Sequence, residues 1–464
     1  MARTKLVMTR RHHQEIFQHL FPGDGLEAAA VLLCNQGTGK ECRRLIAVDT
    51  LFASHDASKR KRGSLAWPFA HYFSPEAITR IDKQRQSIIT VHSHPNNLDG
   101  FSPIDNQNDK ELFHSICNWF DDQRLHGSAI MLPDGRAKAR TVNAEGEFME
   151  MEAVSVVGDS IHVWKPHEPR KKMGYSRKLA QTFGTGTLDV LRSMRAGVVG
   201  CSGTGSVMTE LLARNCVGQL VVVDPDILEE KNLNRMIGGT MNDVRKNRPK
   251  VKTVERAIQA MGMGTKVQVH QDFTDSAEVV AALVDCDVIF GCVDSAFGRY
   301  HLDCLASAHL IPYFDVGVHL EADGKGGIIA ADAVSHYVHP EGQSLLARGA
   351  YTIEQVTAEN WRRTDSAYYQ EQLQAGYLAS VGEDQPAVMS LNMQAACMAF
   401  NDFLARIHKF RLDDNRGFAT QRFRLAHGSY ENEMDQGGPP HTLMRKYVGA
   451  GDASLLVKNN VTHA

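Results

Sequence analysis

Val198-Val199-Gly200-Cys201-Ser202-Gly203-Thr204-Gly205 closes an apolar run, and a helical pattern with Val207, Leu211 and Leu212 on one stripe opens at Ser206. Strand, glycine-rich turn and helix in this order make a phosphate site. The glycines admit close backbone approach, and the helix N-terminus favours an anion. Asp224 ends the next apolar run, where a carboxylate can take ribose hydroxyls. Working outward, strands are expected at 196–200, 219–224, 266–271, 288–292 and 311–316, with helices between them and a last amphipathic helix over 387–408. That alternation predicts an α/β doubly wound, Rossmann-like sheet. An NAD site is the first rival, but the spacing is Gly-x-x-Gly-x-Gly rather than the Gly-x-Gly-x-x-Gly of dehydrogenases.

Residues further along separate the two readings. Asp224-Pro-Asp226, Asn232-Leu-Asn-Arg235, Pro249-Lys250 and Val293-Asp294 with Arg299 stand in the order and spacing of the ThiF/MoeB family, which includes the adenylating domains of ubiquitin-activating enzymes. Tyr175-Ser-Arg177 followed by Phe183-Gly184 resembles the family's opening segment, so the likeness covers roughly 173–408. Joining a carboxylate to the α-phosphate of ATP brings anions together, and cations must neutralise them. The resemblance implies a nucleotide loop through Gly200, Gly203 and Gly205, with Asp224 on the ribose and Asn232, Arg235 and Lys250 on the phosphates. It implies magnesium at Asp294 with Asp226 nearby, and Arg177 reaching the nucleotide of a second subunit, hence a homodimer.

A second block stands upstream. His92-Ser93-His94-Pro95 ends an apolar strand, and period-two alternation puts both imidazoles on one face. Asp105 then opens a helical pattern and can supply an oxygen ligand, leaving a fourth tetrahedral position for water. The string His-Ser-His-Pro, seven residues, Ser102, two residues, Asp105 resembles the JAMM/MPN (Mov34) zinc metalloisopeptidase family over most of 8–150. The resemblance implies zinc on His92, His94 and Asp105, and Ser102 hydrogen-bonding the tetrahedral intermediate. Glu27, just ahead of the apolar strand 28–34, is the expected general base, with Glu41 as the fallback. Around this motif an α+β domain is expected, with a helix over 11–21, strands at 28–34, 45–49, 87–92 and 128–132, and a helix over 106–120.

At 464 residues the chain exceeds what one core serves. The expected division is a JAMM/MPN-like domain over 1–155, a linker over 156–174, the ThiF-like domain over 175–430 and a tail over 431–464 that is poorly ordered or docks a partner. A net charge of −3 argues against nucleic acid as a partner. The basic run Lys59-Arg-Lys-Arg62 reads as a solvated loop. No apolar stretch reaches membrane-spanning length, the N-terminus lacks a signal peptide's apolar core, and nine scattered cysteines argue against a disulfide framework; the reading is cytoplasmic.

Two features depart from the ThiF/MoeB pattern. Pro340–Gly349 carries Ser344 and Ala347 where many relatives have zinc-binding cysteines, so a second zinc site is not expected. Conjugating members also need a cysteine to take the activated terminus as a thioester. Cys304 and Cys397 sit in core-like helices and Cys201 lies in the nucleotide loop, so adenylation is better supported than a self-thioester. The expected enzyme joins a zinc (iso)peptidase to an ATP-dependent adenylyltransferase, acting on a ubiquitin-like carrier that ends in glycine. A conjugating enzyme or a sulfur donor would take the next step. The alternatives are sulfur-carrier activation for cofactor biosynthesis, and a non-catalytic scaffold that binds a ubiquitin-like protein.

Overall fold

Polar side chains hide the first strand of the chain. β1 (Arg3–Thr9) carries Arg3, Thr4 and Lys5, yet all but Arg3 are buried between two parallel neighbours. The computed structural model describes residues 3–52, 54–55, 73–120, 124–166, 174–323, 325, 327–375, 388–435 and 442–453. It divides into two units, the first built from the described residues of Met1–Val157, Ile161–Pro169 and Gly449–Ala453.

The first unit is one mixed sheet. After β1 come β2 (Ala29–Thr38), β3 (Cys42–Phe52), β4 (Ser87–Ser93), β5 (His126–Met131), β6 (Ala137–Val142), β7 (Phe148–Glu150), β8 (Ala153–Val157) and β9 (Ile161–Trp164). Their order is β7-β6-β5-β4-β2-β3-β1-β8-β9. Thr9 ends β1 and caps the helix Arg10–Leu20, its hydroxyl accepting from His12 N at 3.3 Å. Ile16 and Leu20 of that helix meet Leu6, Leu32, Leu45 and Val91 on one sheet face. Each fully buried side chain of this kind contributes about 1.5–3 kcal/mol. On the other face Phe113 and Ile116 of the helix Pro103–Trp119 pack on Val31, Leu33 and Ile88. His92 lies four residues beyond Ile88 on the same strand, so it faces this helix.

The second unit carries β10 (Arg195–Val199), β11 (Gln219–Val223), β12 (Lys266–His270), β13 (Val288–Gly291), β14 (Tyr313–Ala322), β15 (Ile328–Val338), β16 (Thr420–Arg424) and β17 (Ser429–Glu433), ordered β12-β11-β10-β13-β14-β15-β16-β17. The first five are parallel and doubly wound as expected; the last three add antiparallel pairs that the alternation did not announce. Strand order reverses between β10 and β13, the crevice where such sheets bind ligands. Helices Ala277–Val284 and Ala296–His309 cover Val199, Val221 and Ile289 on one face. On the other, Phe290 and Phe314 stack at 5.2 Å and meet Phe403 of the helix Met389–Ile407 edge-on.

Two boundaries differ from expectation. The linker expected over 156–174 is a strand hairpin as far as Trp164, because β8, ending at Val157, pairs with β1, and β9 (Ile161–Trp164) continues the sheet. Residues 167–173 lie outside the described residues, as does the run Lys59–Arg62. The tail expected over 431–464 is in part folded. β17 runs to Glu433, and Met444 of the helix Thr442–Arg445 is fully buried in the core of the second unit beside Cys304. Residues 436–441 and 454–464 lie outside the described residues. Among the described residues no helix is long and apolar enough to cross a membrane.

Candidate functional site

His92, His94 and Asp105 meet in the first unit, where β4 runs out and the helix Pro103–Trp119 begins. His92 Nε2 lies 3.0 Å from His94 Nε2 and 3.3 Å from Asp105 Oδ1; His94 Nε2 lies 3.4 Å from Asp105 Oδ2. All three residues are buried, and they form a group able to hold a metal ion. His94 donates from Nδ1 to the Leu98 carbonyl at 2.8 Å, which leaves Nε2 as a bare lone pair. Asp105 Oδ1 is buried and makes no hydrogen bond. Two imidazole nitrogens and such a carboxylate oxygen, converging out of water, could hold a cation between them, and the donor set suits zinc. Burial alone would raise the Asp105 carboxyl, but the imidazoles of His92 and His94 beside it hold it far below the usual carboxylate range.

The cap of the same helix sets Asp105. Ser102 Oγ accepts from Asp105 N at 3.1 Å, Asp105 Oδ2 accepts from Ser102 N at 2.6 Å, and Pro103 takes the first helical position. Ser102 thus spends an acceptor lone pair on the helix and keeps its O–H to donate. On the far side, Ala28 N donates to Ser93 Oγ at 2.9 Å and Ser93 N to Ala28 O at 3.0 Å, which ties the chain beside Glu27 to the strand that carries the histidines. Burial pushes the Glu27 carboxyl up, His92 and His94 oppose the shift and Asp105 adds to it, so Glu27 feels all three side chains. Glu41 lies elsewhere, ion-paired to Arg3 at 2.6 Å in solvent.

The nucleotide loop of the second unit is shaped by backbone. Gly200 has φ +90°, and a Cβ there would strike the Cys292 carbonyl. A Cβ on Gly205 would overlap the Gly200 carbonyl oxygen. Asp224 Oδ2 accepts from Cys201 N at 2.7 Å and Oδ1 from Asp226 N at 2.9 Å, so one carboxylate braces the loop and the following turn. Lys250 Nζ donates to Asp226 Oδ2 at 2.7 Å and lies 3.9 Å from Asp224 Oδ1. Burial would lower the Lys250 ammonium, but Asp224 and Asp226 raise it, and it stays charged. Burial raises Asp224 against the pull of Lys250.

The remaining expected residues are less gathered. Asn232 Oδ1 accepts from Glu229 N at 3.0 Å. Arg235 donates to the Lys231 carbonyl at 2.8 Å and to Asn234 Oδ1 at 3.1 Å. Asp294 is exposed just past β13, and its carbonyl accepts from Arg299, whose Nε is 3.1 Å from Asp315 Oδ1. Arg177 is exposed at the first position of the helix Arg177–Ser193, and among the described contacts none joins it to the nucleotide loop of its own chain.

Asn392 escaped the sequence reading. It is buried in the helix Met389–Ile407, and its amide presses on Gly203, where a Cβ would collide with Nδ2 and lie 3.4 Å from Arg235 Cδ. The only signal was a polar residue on an otherwise apolar helical face. None of the nine cysteines is in a disulfide and none is exposed. Burial pushes the thiols of Cys201 and Cys304 far up and that of Cys292 to about 12, conditions that suppress a nucleophilic thiolate.

Residues 9–143 match the family model of the prokaryotic homologs of the JAB domain, and residues 175–424 match that of the ThiF family. The SAMP-activating enzyme E1 of Haloferax volcanii is 30% identical over 122 residues, 26% of this chain and 44% of that protein. The sulfur carrier protein ThiS adenylyltransferase of Bacillus subtilis is 30% identical over 142 residues, 30% of this chain and 42% of that protein. The chain therefore spans less than half the length of these curated relatives. The crystal structure of E. coli MccB with succinimide matches with a TM-score of 0.43 at 15% identity, over 58% of this chain and 73% of that one. With the ThiF model covering more than half of its residues, the chain belongs to the ThiF family, and a JAB-like domain precedes its ThiF domain.

Proposed function

We propose that this chain is a bifunctional enzyme of a ubiquitin-like modification system. Its ThiF domain adenylates the C-terminal glycine of a ubiquitin-like or sulfur-carrier protein, and its JAB-like domain hydrolyses an amide bond at that terminus. The observation that carries the reading is the Gly200–Gly205 loop, braced through the Cys201 amide by Asp224, with Lys250 held charged between Asp224 and Asp226. Relatives named for activating SAMP and for adenylating the sulfur carrier ThiS favour a carrier protein as the acyl substrate.

In adenylation a carboxylate oxygen bonds to the α-phosphorus of ATP and the bond to pyrophosphate breaks. Asp224 binds the ribose, Lys250 exchanges its carboxylate partners for phosphate oxygens, and Arg235 and Asn232 spread the remaining charge. Asp294, with Asp226 near it, would hold magnesium, which when bound would offset the charge of the departing pyrophosphate. Arg177 reaches the nucleotide of a second subunit in a homodimer. Because each cysteine is at least half-buried, the acyl-adenylate passes to a sulfur outside this chain, on a donor or a conjugating enzyme. Nine cysteines outside any disulfide favour the cytoplasm as the compartment.

In the JAB-like domain His92, His94 and Asp105 would hold zinc, which when bound acidifies a water and polarises the amide carbonyl. Glu27 takes the proton of the attacking water and returns it to the departing amine nitrogen. Ser102 donates its O–H to the carbonyl oxygen as negative charge gathers there.

The test is ATP–pyrophosphate exchange with a purified carrier ending in glycine. Exchange that requires the carrier is expected; a chain that gives none with either a ubiquitin-like or a sulfur-carrier protein overturns the adenylation reading and favours a binding scaffold.

A further inference from the structure

The proposed zinc ligands come from two elements, β4 and the helix Pro103–Trp119, and something must set the gap between them. Arg140 of β6 stands on the sheet face that this helix covers. Its Nε donates to Ser128 Oγ on β5 at 3.1 Å, and one terminal nitrogen donates to Asp109 Oδ2 at 2.6 Å. The other terminal nitrogen donates to Asn106 Oδ1. Ser128 closes the network by donating to Asp109 Oδ2 at 2.5 Å. The guanidinium lies between two rings, 3.7 Å from the centre of Phe101 and 3.9 Å from that of Phe148. The side chains of Arg140 and Asp109 are 7% and 10% exposed, so the pair is largely out of water.

Four of the five partners of Arg140 lie beside the metal group in the chain or the sheet. Asn106 follows Asp105, and Asp109 lies one helical turn beyond it. Phe101 immediately precedes the cap residue Ser102. Ser128 pairs with Thr90, two residues before His92 on the same strand face. One planar fork therefore grips the sheet beside the histidines, the first turn of the helix that carries Asp105, and the loop that enters it. A surface arginine with one acid would do none of this. A lysine could not replace it, since a point charge lacks the fork and the flat faces that the two rings enclose.

We propose that Arg140 is a positioning residue for the metal group, fixing the distance of Asp105 from His92 and His94 without touching the metal. The inference rests on the zinc reading of that group. Loosening Arg140 lets the helix start drift, so three ligands no longer converge.

The experiment is zinc affinity by chelator competition, together with the visible spectrum of the cobalt-substituted full chain, whose intensity reports tetrahedral geometry. Arg140→Lys and Phe101→Leu are compared with the unaltered chain, and thermal melting is recorded for each. Phe101→Leu leaves the ion pair in place and keeps the test open should Arg140→Lys unfold. Partners beyond the ligands typically account for about 10–100-fold in metal affinity. A loss in that range with a weakened cobalt band, in folded protein, is expected. Folded variants that bind zinc as tightly as the unaltered chain with the same spectrum overturn the inference. An unaltered chain that binds no zinc overturns the reading beneath it instead.

Discussion

The two sites of this chain solve opposite electrostatic problems. At the His92–His94–Asp105 group, buried nitrogen and oxygen atoms converge, and the surrounding bonds (Leu98 on His94, Ser102 on Asp105) keep them converged. At the nucleotide loop the shape is backbone, and the charges are parked on each other, Lys250 on Asp226 and Asp224. On the proposed reading, one site receives a positive charge and the other releases one toward an anion. The difference teaches that side-chain substitution should silence the two sites by different routes, and independently.

The largest effect is expected at Glu27→Gln. Loss of a general base costs about 10²–10⁴-fold, so amide hydrolysis should fall by that factor while bound zinc and ATP–pyrophosphate exchange stay unchanged. Equal hydrolysis would show that Glu27 is not the base. Next comes Lys250→Ala, for which exchange should fall about 10²–10³-fold, the range for one lost transition-state donor. Hydrolysis by the same protein should be intact, and parallel losses in both assays would break the independence argued above.

Asp303 tests stability away from either site. Burial pushes its carboxyl up to about 7, against hydrogen bonds from the Tyr351 hydroxyl and the Leu346 amide. The folded state then holds the proton more tightly than the unfolded chain does. Stability from this group is fully present below about pH 4, the unfolded value, and is lost as pH rises through about 7. Asp303→Asn should flatten that loss, an effect of a few kcal/mol at most, read by denaturant melts from pH 4 to 8. A slope unchanged by the substitution would place the titration elsewhere. The smallest effect is expected from Gly205→Ala. Its methyl meets the Gly200 carbonyl, an overpacking that costs about 1–3 kcal/mol, and the melting of the first unit should be unmoved.

Much of both sites was legible because each motif is also local structure. Ser102-Pro103-x-Asp105 reads as a capped helix start, and the cap is what aims the Asp105 carboxylate. Gly200 and Gly205 sit where backbone approaches backbone, which only glycine allows. The missing parts depend on partners far off in the chain. β1 reads as polar because a central strand here buries Thr4 and Lys5, and its neighbours β3 and β8 are remote in sequence. Asn392 matters only once its helix lies on Gly203, which no local pattern records. The Arg140 network joins four elements, each bland when read alone.

The short segment Gly449–Ala453 has a topological consequence. It belongs to the first unit although the second supplies the chain before it. Asn35 donates to the Gly449 carbonyl at 2.9 Å, and the Thr38 amide and hydroxyl both donate to the Asp452 carboxylate. The JAB-like domain is therefore discontinuous in sequence, and a fragment ending at 166 would be missing a piece of itself. A single proteolytic nick between 166 and 174 would leave these bonds in place, so the two fragments should copurify rather than part.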